Sequence, residues 1–222
     1  MRRLGLMLSF LYLFTQLWAT SLLASPSLQH YADFGKLVAS LQAHQSPDET
    51  LKEIEKALVS YRNGAQGAKA SSPPQQPGYL ARAFYGSLAA MRCRYVSDSD
   101  QRLRFLQDAI PALDGAIAEV RVKGNDIDKM IVHRVRADVY GQLPDMLKKQ
   151  KVALKDAATA WGFAERLLSK PQERVPYLLT YSRALLKNGQ QAEVAKLLQN
   201  FEKKHPAVLT SEQRKELSGT KL

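Results

Sequence analysis

Residues 175–206 read VPYLLTYSRALLKNGQQAEVAKLLQNFEKKHP, and this stretch decides the fold class. Leu178, Tyr181, Ser182 and Leu185 fall at i, i+3, i+4 and i+7, one stripe along a helix. Asn188-Gly189 interrupts the stripe, as a helix stop does. Val194, Leu197, Leu198 and Phe201 then repeat the spacing on a second helix. Lys203, Lys204 and His205 stand in its last turn, where positive charge complements the helix dipole, and Pro206 ends it. Two amphipathic helices joined by a short Gly turn make an antiparallel hairpin. Each helix offers an apolar stripe that its partner alone does not cover, so the hairpin requires neighbours.

Working back towards the N-terminus, the same periodicity recurs. Ala153, Ala157, Ala160, Ala164 and Leu168 give a narrow face that permits close helix approach, with Trp161 and Phe163 nearby, on a long helix entered at Pro144 and ending near Lys170. Ile127, Ile131, Val135 and Val139 mark the helix before it, capped by Asp126. Leu103, Leu106, Ile110, Leu113 and Ile117 point inward from a helix ending near Val122. Pro111 is expected to kink or split that helix, and Ser97-Asp98-Ser99-Asp100 offers its N-caps. Residues 79–96 form a further helix. Earlier still, Tyr31, Phe34, Leu37, Val38 and Leu41 pair with Leu51, Ile54, Leu58 and Tyr61, the second set opened by Ser46-Pro47-Asp48-Glu49. Between Gly64 and Gly78 the chain is rich in Gly, Ser, Pro and Gln without periodicity. It reads as a linker, so the first hairpin is semi-detached or the loop is a functional excursion. Thr210 to Gln213 is a capping-box start for a last short helix.

The hairpin of residues 175–206 resembles a tetratricopeptide repeat: small or apolar residues inside both helices, Gly at the turn, Pro just past the end. Val194 stands where that family usually has Ala. The resemblance implies an all-α fold in which antiparallel helix pairs, about 79–122, 127–170 and 175–206, stack as an irregular right-handed α-solenoid. The first two pairs exceed the usual period of about 34 residues and only the last has near-standard length; a helical bundle is the structural alternative. The expected organisation is a signal peptide at 1–24, an N-terminal hairpin at 25–63, a linker at 64–78 and a tetratricopeptide-like domain at 79–222.

The chain opens with Arg2-Arg3, an apolar run and then small residues, the order of a secretory signal. Cleavage after Ala24, or as second choice after Ser21, predicts an exported, periplasmic or secreted protein. An uncleaved anchor over Leu4–Leu23 is the rival reading. Cleavage at Ala24 would leave 198 of the 222 residues and a formal charge of +9 of the original +11. Cys93 is the only cysteine, so no internal disulfide forms. It reads as a small core residue rather than a reactive thiol.

No catalytic, cofactor or metal motif stands out. His30, His44, His133 and His205 are scattered, with His133 read as a surface residue. Nothing around Glu119 or Glu165 prepares a carboxylic acid for catalysis; an ion pair or a solvated helix face suits both. The basic residues carry the functional signal. In paired-helix arrays the first helix of each pair lines the concave face, which selects Arg82, Arg92, Arg134, Arg136 and Arg183 as partner-binding candidates. Arg134 and Arg136 in particular are expected to hold an acidic segment of a protein partner. The resulting expectation is a non-enzymatic adaptor in an envelope assembly, with no cofactor. The alternative is an enzyme or binding protein acting on anionic cell-wall glycan or lipid; nucleic acid ranks below these.

Overall fold

The computed structural model describes residues 25–43, 46–65 and 78–217. The expected signal peptide at 1–24, the bulk of the 64–78 linker and the terminal residues 218–222 lie outside the described residues. Among those described the protein is all-α, with no strand. The helices are α1 (Pro26–Ala43), α2 (Pro47–Ala65), α3 (Gly78–Met91), α4 (Ser99–Lys123), α5 (Asp126–Tyr140), α6 (Gln150–Leu167), α7 (Pro171–Lys187), α8 (Gln191–Lys204) and α9 (Ser211–Leu217). Single 3-10 turns lie at Arg92–Arg94 and Asp145–Leu147. Helices adjacent in sequence pack on one another: α2 on α3, α3 on α4, α6 on α7 and α7 on α8. No described helix is long and apolar enough to cross a membrane.

Helix starts follow side-chain chemistry. Ser46 accepts from the Glu49 amide, and Asp98 accepts from the Gln101 amide at 2.7 Å. Thr210 and Gln213 bond reciprocally, a capping box ahead of α9. The cap of α5 is Asn125 rather than Asp126: its Oδ1 accepts from the Asp128 amide, and Asp128 accepts from the Asn125 amide in return. The α7–α8 turn closes through Gly189, whose φ of +73° suits a residue without a Cβ.

Three expectations about helix bounds and continuity are corrected. Helix α4 runs through Pro111 without splitting, because Pro111 and Gln107, whose carbonyl loses its donor, both face solvent. The long helix before Pro171 does not begin at Pro144. A 3-10 turn and Lys148, at φ +51°, intervene before α6 starts at Gln150. Helix α7 starts at Pro171, which fits a first helical position, and not at Val175.

The described chain divides into two compact units, Met1–Val135 and Arg136–Leu222, and the division falls within α5. In the first unit the core is aromatic. Phe34 of α1 stacks on Phe84 of α3 at 4.3 Å between ring centroids, and Tyr61 of α2 meets both rings edge-on. The first hairpin is therefore not semi-detached; it shares a core with α3. Where α3 crosses α4, a Cβ on Gly86 would come within 2.7 Å of Leu113, so the glycine permits that close approach. Leu103, expected inward, is exposed, while Leu113 and Ile117 are buried.

In the second unit the core is built on alanine. Ala137, Ala157 and Ala184 meet, with Leu154 and Tyr181 against them. Val194 and Phe201 of α8 are buried, and Trp161 sets its ring edge against Phe201. The stripes read from residues 175–206 are thus the ones that pack. Helix α9 is tied back by Arg183 to Glu216 and by Arg214 to Glu202.

Candidate functional site

The five arginines expected to hold a partner are engaged within the chain. Arg92, in the 3-10 turn after α3, is 7% exposed. Its Nη1 donates to Glu55 of α2 and its Nη2 to Asp108 of α4, both at 2.9 Å. The guanidinium also lies 4.0 Å from the Phe105 ring centroid. One arginine thereby fastens three helices of the first unit, a task its planar fork of donors suits. Arg82 pairs with Glu119, which also takes Lys123. Arg183 pairs with Glu216.

Arg134 and Arg136 do not act together. Residues two apart on a helix point to nearly opposite sides. Arg134, 4% exposed, lies over the ring of Tyr31 in the first unit. Arg136 belongs to the second unit, where Nε and Nη2 grip Asp156 at 2.6 and 3.0 Å, and its guanidinium faces the Tyr140 ring. Asp156 is 1% exposed. The expectation that these two arginines stand exposed in a groove is corrected: both are buried. Sequence contained a signal for this. Asp156 stands beside Ala157, three residues after Ala153 and four before Ala160, so it shares the buried face of α6. A carboxylate there demands a buried cation.

Other buried polar groups follow the same logic. Tyr79 donates to Asp128 at 2.6 Å, adding to the carboxylate's capping bonds, and burial pushes the Tyr79 phenol above its ordinary pKa. Thr180 donates to Asp138 and to the Pro176 carbonyl. His133 is buried rather than on the surface. Cys93 is half-buried, with its thiol against the Arg102 carbonyl, and burial raises its pKa. That environment is the opposite of one that activates a thiol. Glu119 is ion-paired and Glu165 is exposed, the two settings that the sequence allows for either. Among the described residues no group of three His, Cys, Asp or Glu side chains is placed to hold a metal ion.

In the second unit the exposed cations are mostly lysines. Lys148, Lys151, Lys155, Lys170, Lys187 and Lys204 are all exposed in the second unit, and no ion pair between described residues involves them. This unit, Arg136–Leu222, carries 16 Lys and Arg against 9 Asp and Glu. Sequence reading missed this division of labour because the arginines and lysines look alike as formal charges. Comparisons with protein-family models, curated proteins and solved structures return no match to this chain. Its class is therefore defined by its own geometry: among the described residues, an all-α protein of packed helices whose five candidate arginines are engaged within the chain and whose second unit exposes several lysines.

Proposed function

We propose that the chain is an exported, non-enzymatic binding module that holds an acidic segment of a protein partner on a tetratricopeptide-like array of helix pairs. The observation that carries this reading is the excess of exposed lysine on the second unit, in which α7 packs against α6, α8 and α9. The α7–α8 hairpin supports the repeat likeness, with its positive-φ Gly189, buried Val194 and Phe201, and Pro206 beyond the end. Because the five candidate arginines are engaged within the chain, the cations that the second unit offers to the partner are chiefly lysines. Export rests on the order of residues 1–24. A second reading, a protein that binds or acts on anionic envelope glycan or lipid, draws on the same charge.

The test is direct. Immobilised protein is exposed to an envelope extract at two salt concentrations, and in parallel to cell-wall material. A partner held at low salt and released at high salt, without soluble wall products, is the expected result. Turnover of the wall material would overturn the non-enzymatic reading.

A further inference from the structure

Between α5 and α6 the chain makes a turn that exposes apolar Pro144 and Met146 and is followed by exposed lysines. Leu143 is buried and anchors it, while Pro144 is exposed and Met146 is 82% exposed. Lys148 follows at φ +51°, a conformation that few non-glycine residues adopt. Lys151 and Lys155 then stand one turn apart on the exposed side of α6, about 6 Å along its axis. Asp145 is the turn's only acid, and Gln150 donates to it at 2.8 Å. Residues 141–155 hold four lysines against this one carboxylate.

We propose that this turn is a docking surface for an anionic lipid bilayer, with Met146 entering the headgroup layer and Lys148, Lys151 and Lys155 facing lipid phosphates. Exposure and charge together favour a bilayer over a peptide: Met146 is nearly fully exposed, so a soft apolar medium can close around it while the exposed lysines meet phosphates. Lysine stems bury along apolar surface while their ammonium groups reach phosphate. Each lysine near an anionic leaflet strengthens partitioning roughly fivefold. The proposal stands whether or not a protein partner is found.

The methionines provide the test, because Met91 and Met130 are buried and serve as internal references. The full chain is labelled at its methionine methyl groups. It is mixed with phosphatidylglycerol–phosphatidylcholine vesicles containing a spin-labelled lipid. The expected result is broadening of the Met146 signal well beyond that of Met91 and Met130, absent with pure phosphatidylcholine and weakened by salt. The triple variant K148Q/K151Q/K155Q, with unchanged helicity, should lose the effect. Broadening of Met146 no greater than that of Met91, or equal broadening in the triple variant, would overturn the proposal. So would a Met146 shift produced by soluble polyglutamate but not by the anionic vesicles, which would assign the turn to an acidic polypeptide.

Discussion

The two units solve one packing problem with different materials. The first fills its core with rings: Phe34, Phe84, Tyr61 and Tyr31 stack or meet edge-on. The second brings helices together on Ala137, Ala157 and Ala184, and admits a buried Arg136–Asp156 pair. Their charges differ as well. Residues 25–135 carry 14 Lys and Arg against 12 Asp and Glu, whereas residues 136–222 carry 16 against 9. The contrast teaches that positive charge and available positive charge are separate quantities. A guanidinium is planar and weakly hydrated, so it enters ion pairs between helices; an ammonium is strongly hydrated and stays outside.

The largest effect that would test this contrast is in the ring stack. Phe84→Ala should destabilise the protein by about 4 kcal/mol, since the side chain is fully buried. Chemical denaturation followed by circular dichroism measures the loss. Trp161 fluorescence sharpens it, because Trp161 belongs to the second unit. An equal midpoint shift by both probes would show that the units melt as one block.

Next in size is the second unit's ion pair. Asp156→Ala takes the carboxylate out of the buried Arg136–Asp156 pair and should cost about 3 kcal/mol. The double variant Arg136→Met/Asp156→Leu should recover most of that loss. Failure to recover it would mean the pair specifies the packing around it rather than merely neutralising itself.

Tyr79→Phe should cost about 2 kcal/mol, because it removes a donor from the buried Asp128 carboxylate. A midpoint unchanged in urea would show that water replaces the phenol.

The smallest expected effect is a pH dependence in the first unit. Burial, and secondarily the charge of Asp33, pushes the Tyr61 phenol up to about 12. In the unfolded chain a tyrosine ionises near 10. The folded state thus keeps a proton that the unfolded state releases. This stability is intact below pH 10 and is lost as pH rises through 12. Denaturation at pH 9 and pH 11 should show a drop that is smaller in Tyr61→Phe. Equal drops in both proteins would remove Tyr61 as its source.

Helix order and much of the capping were legible because both depend on local spacing. Residues 175–206 gave both helices and their turn, and Asp98 and Thr210 were readable caps. Ends were less legible where proline competes: Pro171 begins a helix, Pro144 does not, and Pro111 sits within one. The candidate site was misread for a physical reason. Charge alone places Arg134 and Arg136 at the surface, although their spacing separates their directions and Asp156 marks a buried partner.

Sequence by itself determined the helical class, the apolar stripes, the glycine turn and the net charge, since each follows from residue type at fixed spacing. Tertiary structure alone decided which cations are engaged within the chain and which stay exposed. Arg92 finds Glu55 and Asp108, and Arg136 finds Asp156, across 16 to 37 residues of chain. Such pairings depend on which helices pack together, and local periodicity carries no record of that.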